Sequence, residues 1–98
     1  MMSLLIPSIR ASVADELYGK YNYKQDEIAK SLGIVQVAVS KYVNNKCSER
    51  MKKVKDFINT NKLNRDIIAA IMDNKGNAEI NMRIEELCTN KKLLEFAS

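Results

Sequence analysis

A glycine at position 33 separates two short amphipathic stretches, and this feature constrains the fold more than any other in the chain. Residues 25–44 read QDEIAKSLGIVQVAVSKYVN. Before the glycine, Ile28 and Leu32 lie on one helical face, and Ala29 supplies a small residue where a second helix can approach closely. Gly33 tolerates the left-handed conformation that ends a helix in a tight turn. We therefore predict two short helices that meet at the glycine and share one core.

The remaining chain also has helical patterning. One proline and three glycines among 98 residues leave long stretches without helix breakers. Pro7 suits the first turn of a helix, and Ser48 and Asn64 suit helix N-caps. Together with apolar residues at helical spacing, these signals predict helices at about 7–21, 25–32, 35–43, 48–59, 64–72 and 77–96, the last weakened near Thr89. The predicted fold class is all-α, with residues 1–60 as one domain and residues 61–98 as a helical extension.

Residues 34–39 admit a second interpretation. The segment is β-branched and roughly alternating, as in a strand. We prefer a helix, because Val35, Val39 and Tyr42 then fall on one face. That face is predicted to point into the core.

The positive charge is concentrated in one window. The net charge of the chain is +4. Residues 41–55 hold six basic residues and one acidic residue, whereas residues 1–40 are neutral and residues 56–98 have a net charge of −1. A basic window beside the third helix points to nucleic acid, and a solvated lysine-rich helix face is the alternative.

Several kinds of site have no support in the sequence. The chain has no histidine, and Cys47 and Cys88 form no CxxC pair, so we expect no metal site and no cofactor. It lacks a glycine-rich phosphate loop and a paired-carboxylate motif, so we do not expect an enzyme. No segment is long and apolar enough to span a membrane, and the N-terminus does not look like a signal peptide. We therefore expect a cytoplasmic protein with reduced thiols.

Residues 25–44 resemble the helix-turn-helix of repressor-type bacterial and archaeal transcription regulators. Residues 6–46 resemble more closely a group of short archaeal predicted regulators, with an Ile-Pro-x-Ile-Arg start, Ala-x-x-Leu, Gln-x-x-Ile-Ala, Leu-Gly and Gln-x-Ala-Val-Ser-x-Tyr. The matching residues are Ile6, Pro7, Ile9, Arg10, Ala14, Leu17, Gln25, Ile28, Ala29, Leu32, Gly33, Gln36, Ala38, Val39, Ser40 and Tyr42. The resemblance implies a helical domain that binds double-stranded DNA and regulates transcription.

Two positions depart from that group. The group has Thr or Ser where this chain has Val35, which cannot cap, so the start of the third helix is expected to shift or fray by a residue. The group also has a cysteine-rich end, whereas Cys88 has no second cysteine nearby. We therefore expect Cys88 to be a small buried hydrophobic residue.

The outer face of the third helix is expected to enter the major groove. Side chains expected to reach base edges are Gln36, Val37 and Ser40. A glutamine amide can bond adenine N6 and N7 together, and a valine can pack on a thymine methyl group.

Basic and amide side chains near this helix are expected to hold the DNA backbone. They are Lys41, Asn44, Asn45, Lys46 and Arg50. Lys52, Lys53 and Lys55 would extend the positive surface, which makes the affinity salt-sensitive.

The extension at residues 61–98 has nearly balanced charge and nothing suited to reading DNA. It either covers the core of the helix-turn-helix or forms a two-fold interface. We favour a homodimer, which would place two recognition helices about 34 Å apart on a palindrome. Two other functions stay open, a protein–protein adaptor and a nonspecific chromatin protein. Whether a small-molecule effector binds cannot be deduced from the sequence.

Overall fold

The computed structural model describes residues 2–98, with side chains from Leu4 onward. These residues form seven α-helices and no strand. In chain order the helices are α1 (Met2–Gly19), α2 (Gln25–Leu32), α3 (Gln36–Val43), α4 (Glu49–Thr60), α5 (Arg65–Met72), α6 (Asn77–Cys88) and α7 (Lys91–Ala97). The all-α prediction is confirmed, and the strand alternative for residues 34–39 is wrong.

The first helix begins earlier than predicted, at Met2 and not at Pro7. A proline beyond the first turn removes one backbone hydrogen bond from the helix. The apolar residues before it offset this loss, because Leu5 is buried and Leu4 and Ile6 pack against the core. Burial of this apolar segment therefore overrides the local signal of the proline.

The central element of the fold is α1, which packs against α2, α3, α4, α5 and α6. Ile9, Val13 and Leu17 of this helix are completely buried. Burying an aliphatic side chain of this size stabilises a fold by about 1.5–3 kcal/mol. These side chains, spaced four residues apart, therefore form a buried face of α1, the helix on which α2 to α6 pack.

The helices of residues 61–98 cover the same core. α5 and α6 pack on each other and on α1, α6 also contacts α2, and α7 packs on α4. The buried apolar residues of this segment are Ile67, Ile68, Ala70, Ile71, Ile80, Ile84, Leu87, Cys88, Leu93 and Ala97. They belong to one cluster with the buried residues of α1 to α4.

The predicted N-caps have different outcomes. The Ser48 hydroxyl accepts a hydrogen bond from the Met51 N–H at 3.2 Å, as expected for a cap. Asn64 precedes α5, but its side chain makes no cap bond. It is buried and its Nδ2 donates to Ser12 Oγ and Asn59 Oδ1, both at 3.2 Å. The capping prediction for Asn64 is therefore wrong, because a buried amide has tertiary partners.

Candidate nucleic-acid interface

The turn between α2 and α3 has the geometry predicted from its glycine. Gly33 has a φ of +68°, and the Ile34 N–H donates to the Ala29 carbonyl at 3.0 Å. A Cβ added to Gly33 would lie 3.6 Å from the Asn77 side chain, which is an ordinary contact. The left-handed backbone, and not a lack of space, is therefore what favours glycine here.

The end of α2 is also held by α6. Asn77 Nδ2 donates to the carbonyl oxygens of Ser31 and Lys30, at 2.8 and 3.1 Å. Carbonyls in the last turn of a helix have no partner within that helix, so this side chain satisfies two of them. Nothing in the sequence spacing reveals that residue 77 lies near residue 30.

The inner face of α3 attaches the helix to the core. Val39 is completely buried, and Tyr42 is half-buried and packs against the core cluster. Burial raises the pKa of the Tyr42 phenol, and the nearby Arg10 charge opposes that shift. Tyr42 is therefore a neutral part of the core at physiological pH, and the inward prediction for these two residues is confirmed.

Val35 does not share that inward face, and the prediction that it does is wrong. Its side chain is 70% exposed. Val35 is the N-cap residue of α3, with an extended backbone at φ −77° and ψ 150°, so the helical period does not reach back to it. It provides no side-chain cap, and α3 begins at Gln36, one residue later than its sequence pattern suggests.

The outer face of α3 presents the side chains predicted to contact bases. Gln36 and Val37 are exposed, and Ser40 is half-buried. The Gln36 amide has no hydrogen-bond partner within the described chain. Its donor and its acceptor both remain available to an external partner.

Two asparagines end α3 in different ways. Asn44 Nδ2 donates to the Ser40 carbonyl at 2.8 Å and to the Ser40 hydroxyl at 3.3 Å. Asn45 adopts a left-handed backbone at φ +57°, and its Oδ1 accepts from Lys55 Nζ at 2.6 Å. The Asn45 Oδ1 is thereby occupied, and its NH₂ group is left to donate outward.

The basic window divides into exposed and buried parts. Lys41 and Lys46 are exposed and form no ion pair with any residue that the structure describes. Lys55 instead has a side chain only 3% exposed, with its Nζ bonded to Asn45 and 3.9 Å from Asp15 Oδ2. The prediction that Lys55 extends the positive surface is wrong, because it lies on the side of α4 that packs against α1.

On α4, two other cations of the window have partners, and a third is exposed. Arg50 Nη2 donates to the Ala97 carbonyl at 3.3 Å, which places this guanidinium at the negative end of α7. Lys52 pairs with Glu49 at 3.5 Å. Lys53 is exposed beside a shallow groove lined by Phe57. The positive surface nearest the outer face of α3 therefore consists mainly of Lys41 and Lys46.

Residues 2–98 hold no group of three His, Cys, Asp or Glu side chains that could bind a metal ion. None of their helices is both long and apolar enough to cross a membrane. Cys47 is half-buried and Cys88 is buried, and the two thiols do not form a disulfide.

No protein-family model matches this chain, and no curated protein or solved structure matches it significantly.

Proposed function

We propose that this chain is a sequence-specific, duplex-DNA-binding transcription regulator of the helix-turn-helix type. In this proposal, α2 and α3 are the two helices of the motif, and α3 enters the major groove. The observation that carries it is the contrast between the two faces of α3. Val39 is completely buried, whereas Gln36 presents an unused amide and Lys41 an unpaired cation on the outer side. Such a helix can offer hydrogen-bonding groups to base edges while its other face stays packed.

The end of α3 is suited to contacts with phosphates. The Lys46 N–H donates to the Lys41 carbonyl at 2.9 Å, which keeps the backbones of these two lysines close together. Between them, Asn45 is oriented by its hydrogen bond to the buried Lys55. Two cations and an amide donor at one helix end could fix the register of the protein on the DNA backbone without reading sequence.

We also propose that the chain binds DNA as a homodimer. On α7, Phe96 is 44% exposed and stacks on Phe57 of α4 with ring centroids 4.1 Å apart. An exposed apolar surface of this kind is suited to burial in a two-fold interface. Light scattering on the full chain should give twice the mass of one chain, and Phe96→Gln should shift it toward the monomer. A monomer at all concentrations would contradict the dimer.

A protein–protein adaptor is the second candidate, because Val35 and Val37 are both strongly exposed. Apolar side chains at the start of α3 would also suit a partner protein. An adaptor has no requirement for the exposed Lys41 and Lys46 toward the other end of α3, so we favour DNA.

Selection from a pool of random-sequence duplexes, using the full chain, separates the candidates. A specific regulator should enrich one motif and bind it at least about 10³-fold more tightly than random duplex. Binding without enrichment would favour a nonspecific chromatin protein. No binding to any duplex would favour the adaptor.

A further inference from the structure

Val35 and Val37 flank Gln36 and are the two most exposed large apolar side chains in residues 4–98, at 70% and 65%. They are not part of the core, whereas Val39 of the same segment is completely buried in it. Valine has no hydrogen-bonding group, so its favourable contacts are with other apolar surfaces. The start of α3 therefore offers one polar group between two apolar ones.

We propose that Val35 and Val37 contact thymine methyl groups on either side of the base pair that Gln36 reads. This inference rests on the proposed function. Residues at the start of a recognition helix contact base edges in the major groove. The thymine C5-methyl is the apolar group that a base presents there, and the Gln36 amide complements adenine N6 and N7. The preferred half-site is accordingly a short run of A·T pairs with at least two thymines in contact with the valines.

The two valines differ in backbone conformation, which lets them contact different base pairs. Val35 is extended and lies ahead of α3, whereas Val37 lies in its first turn. A valine over a G·C pair would instead cover guanine O6 or cytosine N4 and remove the water that hydrogen-bonds to that atom. Burial of a polar group without a hydrogen bond is unfavourable, so the valines also disfavour G·C at these positions.

Replacement of thymine by deoxyuridine tests this inference, because it removes only the methyl group. The duplex is the motif enriched from the random pool, and each thymine is replaced in turn. At two positions of each half-site the affinity of the full chain should fall about fourfold, as expected for one buried methyl-sized group. The control is a duplex in which deoxyuridine replaces a thymine outside the enriched motif.

Protein variants assign each methyl to its valine. Val35→Ala and Val37→Ala should each abolish the deoxyuridine effect at one position, which is the coupling that a direct contact produces. Met82→Ala is the matched control, since Met82 is an exposed apolar residue of α6. That variant should bind like the unmodified chain and keep both deoxyuridine effects. All three positions are exposed, so thermal melts followed by circular dichroism should be unchanged.

The outcomes separate this inference from the function on which it rests. Tight binding to an enriched motif with no loss on deoxyuridine substitution would overturn the methyl contacts and leave the regulator standing. Enrichment of a G·C motif would do the same. Failure to bind any duplex would overturn both, and the two valines would then belong to a protein-docking surface.

Discussion

Gln36 is the residue to which we assign base selectivity. Its amide is exposed and unpartnered, so a bidentate bond to adenine would replace only bonds to water. Gln36→Ala should weaken binding to the enriched duplex by about 1–3 kcal/mol for each half-site, and should relax the preference at one base pair in each. Competition binding with single base-pair substitutions measures both effects. Asn81→Ala on α6 is the control, and equal weakening on every duplex would exclude Gln36 from base reading.

The two cysteines should differ strongly in reactivity. Burial raises the pKa of the Cys88 thiol, and the nearby Glu85 charge adds to the shift, so Cys88 loses its proton at a higher pH than an ordinary thiol does. The thiolate is the reactive form, and Cys88 is also shielded from reagent. A thiol-specific chromogenic reagent at about pH 8 should therefore label one thiol in the native protein and two after denaturation.

Cys47→Ser provides the control for this labelling. The variant should show no rapid phase in the native state, because only the buried Cys88 remains. Two rapid phases in the native protein, or a rapid phase that survives the substitution, would show that Cys88 is accessible.

At the scale of elements, Lys55 connects three segments of the chain. It lies on α4, bonds Asn45 at the end of α3, and approaches Asp15 of α1. Lys55→Ala removes a buried side chain and should lower the free energy of unfolding by about 2 kcal/mol. Lys55→Met keeps most of the volume and also removes a buried charge, so its cost should stay within about 1 kcal/mol. Urea denaturation measures both values.

Lys53→Ala is the matched control for that pair. Lys53 is an exposed lysine of the same helix, so its loss should change stability by no more than about 0.5 kcal/mol. If Lys55→Ala cost as little as Lys53→Ala, the burial of Lys55 and its contact with Asn45 would be contradicted.

Features of the helices that depend on nearby residues can be predicted from the sequence, and contacts between distant residues cannot. The left-handed Gly33 and the Ser48 cap were predictable, because each depends on neighbours within four residues. Val35 does not lie on the predicted face, because it precedes the first residue of α3 and the helical period does not extend to it. The contacts of Lys55 and Asn77 join residues far apart in the chain, and no local pattern indicates such partners. For the candidate interface, the sequence therefore predicts which side chains α3 exposes. It does not predict the contacts of Lys55 and Asn77 that hold the ends of α3 and α2.

At the scale of the whole molecule, the shared core predicts that the chain unfolds as one unit. α1 packs on α5 and α6 as well as on α2 to α4. A fragment of residues 1–60 would expose the α1 surface that α5 and α6 cover, and a chain this short has little other core to lose. It should therefore show reduced helicity by circular dichroism and no cooperative melt. A cooperative melt of this fragment would show that residues 1–60 are an independent domain.

The most direct test of DNA binding is fluorescence anisotropy with the enriched duplex at several salt concentrations. The full chain should bind, with an affinity that falls by orders of magnitude between about 50 and 200 mM salt. Lys41→Ala should reduce the slope of log affinity against log salt by about 2, because each chain of the DNA-bound dimer loses one phosphate contact. Lys92→Ala, an exposed lysine of α7, should leave the slope unchanged. The absence of binding to any duplex at low salt would contradict the proposal that α3 reads DNA.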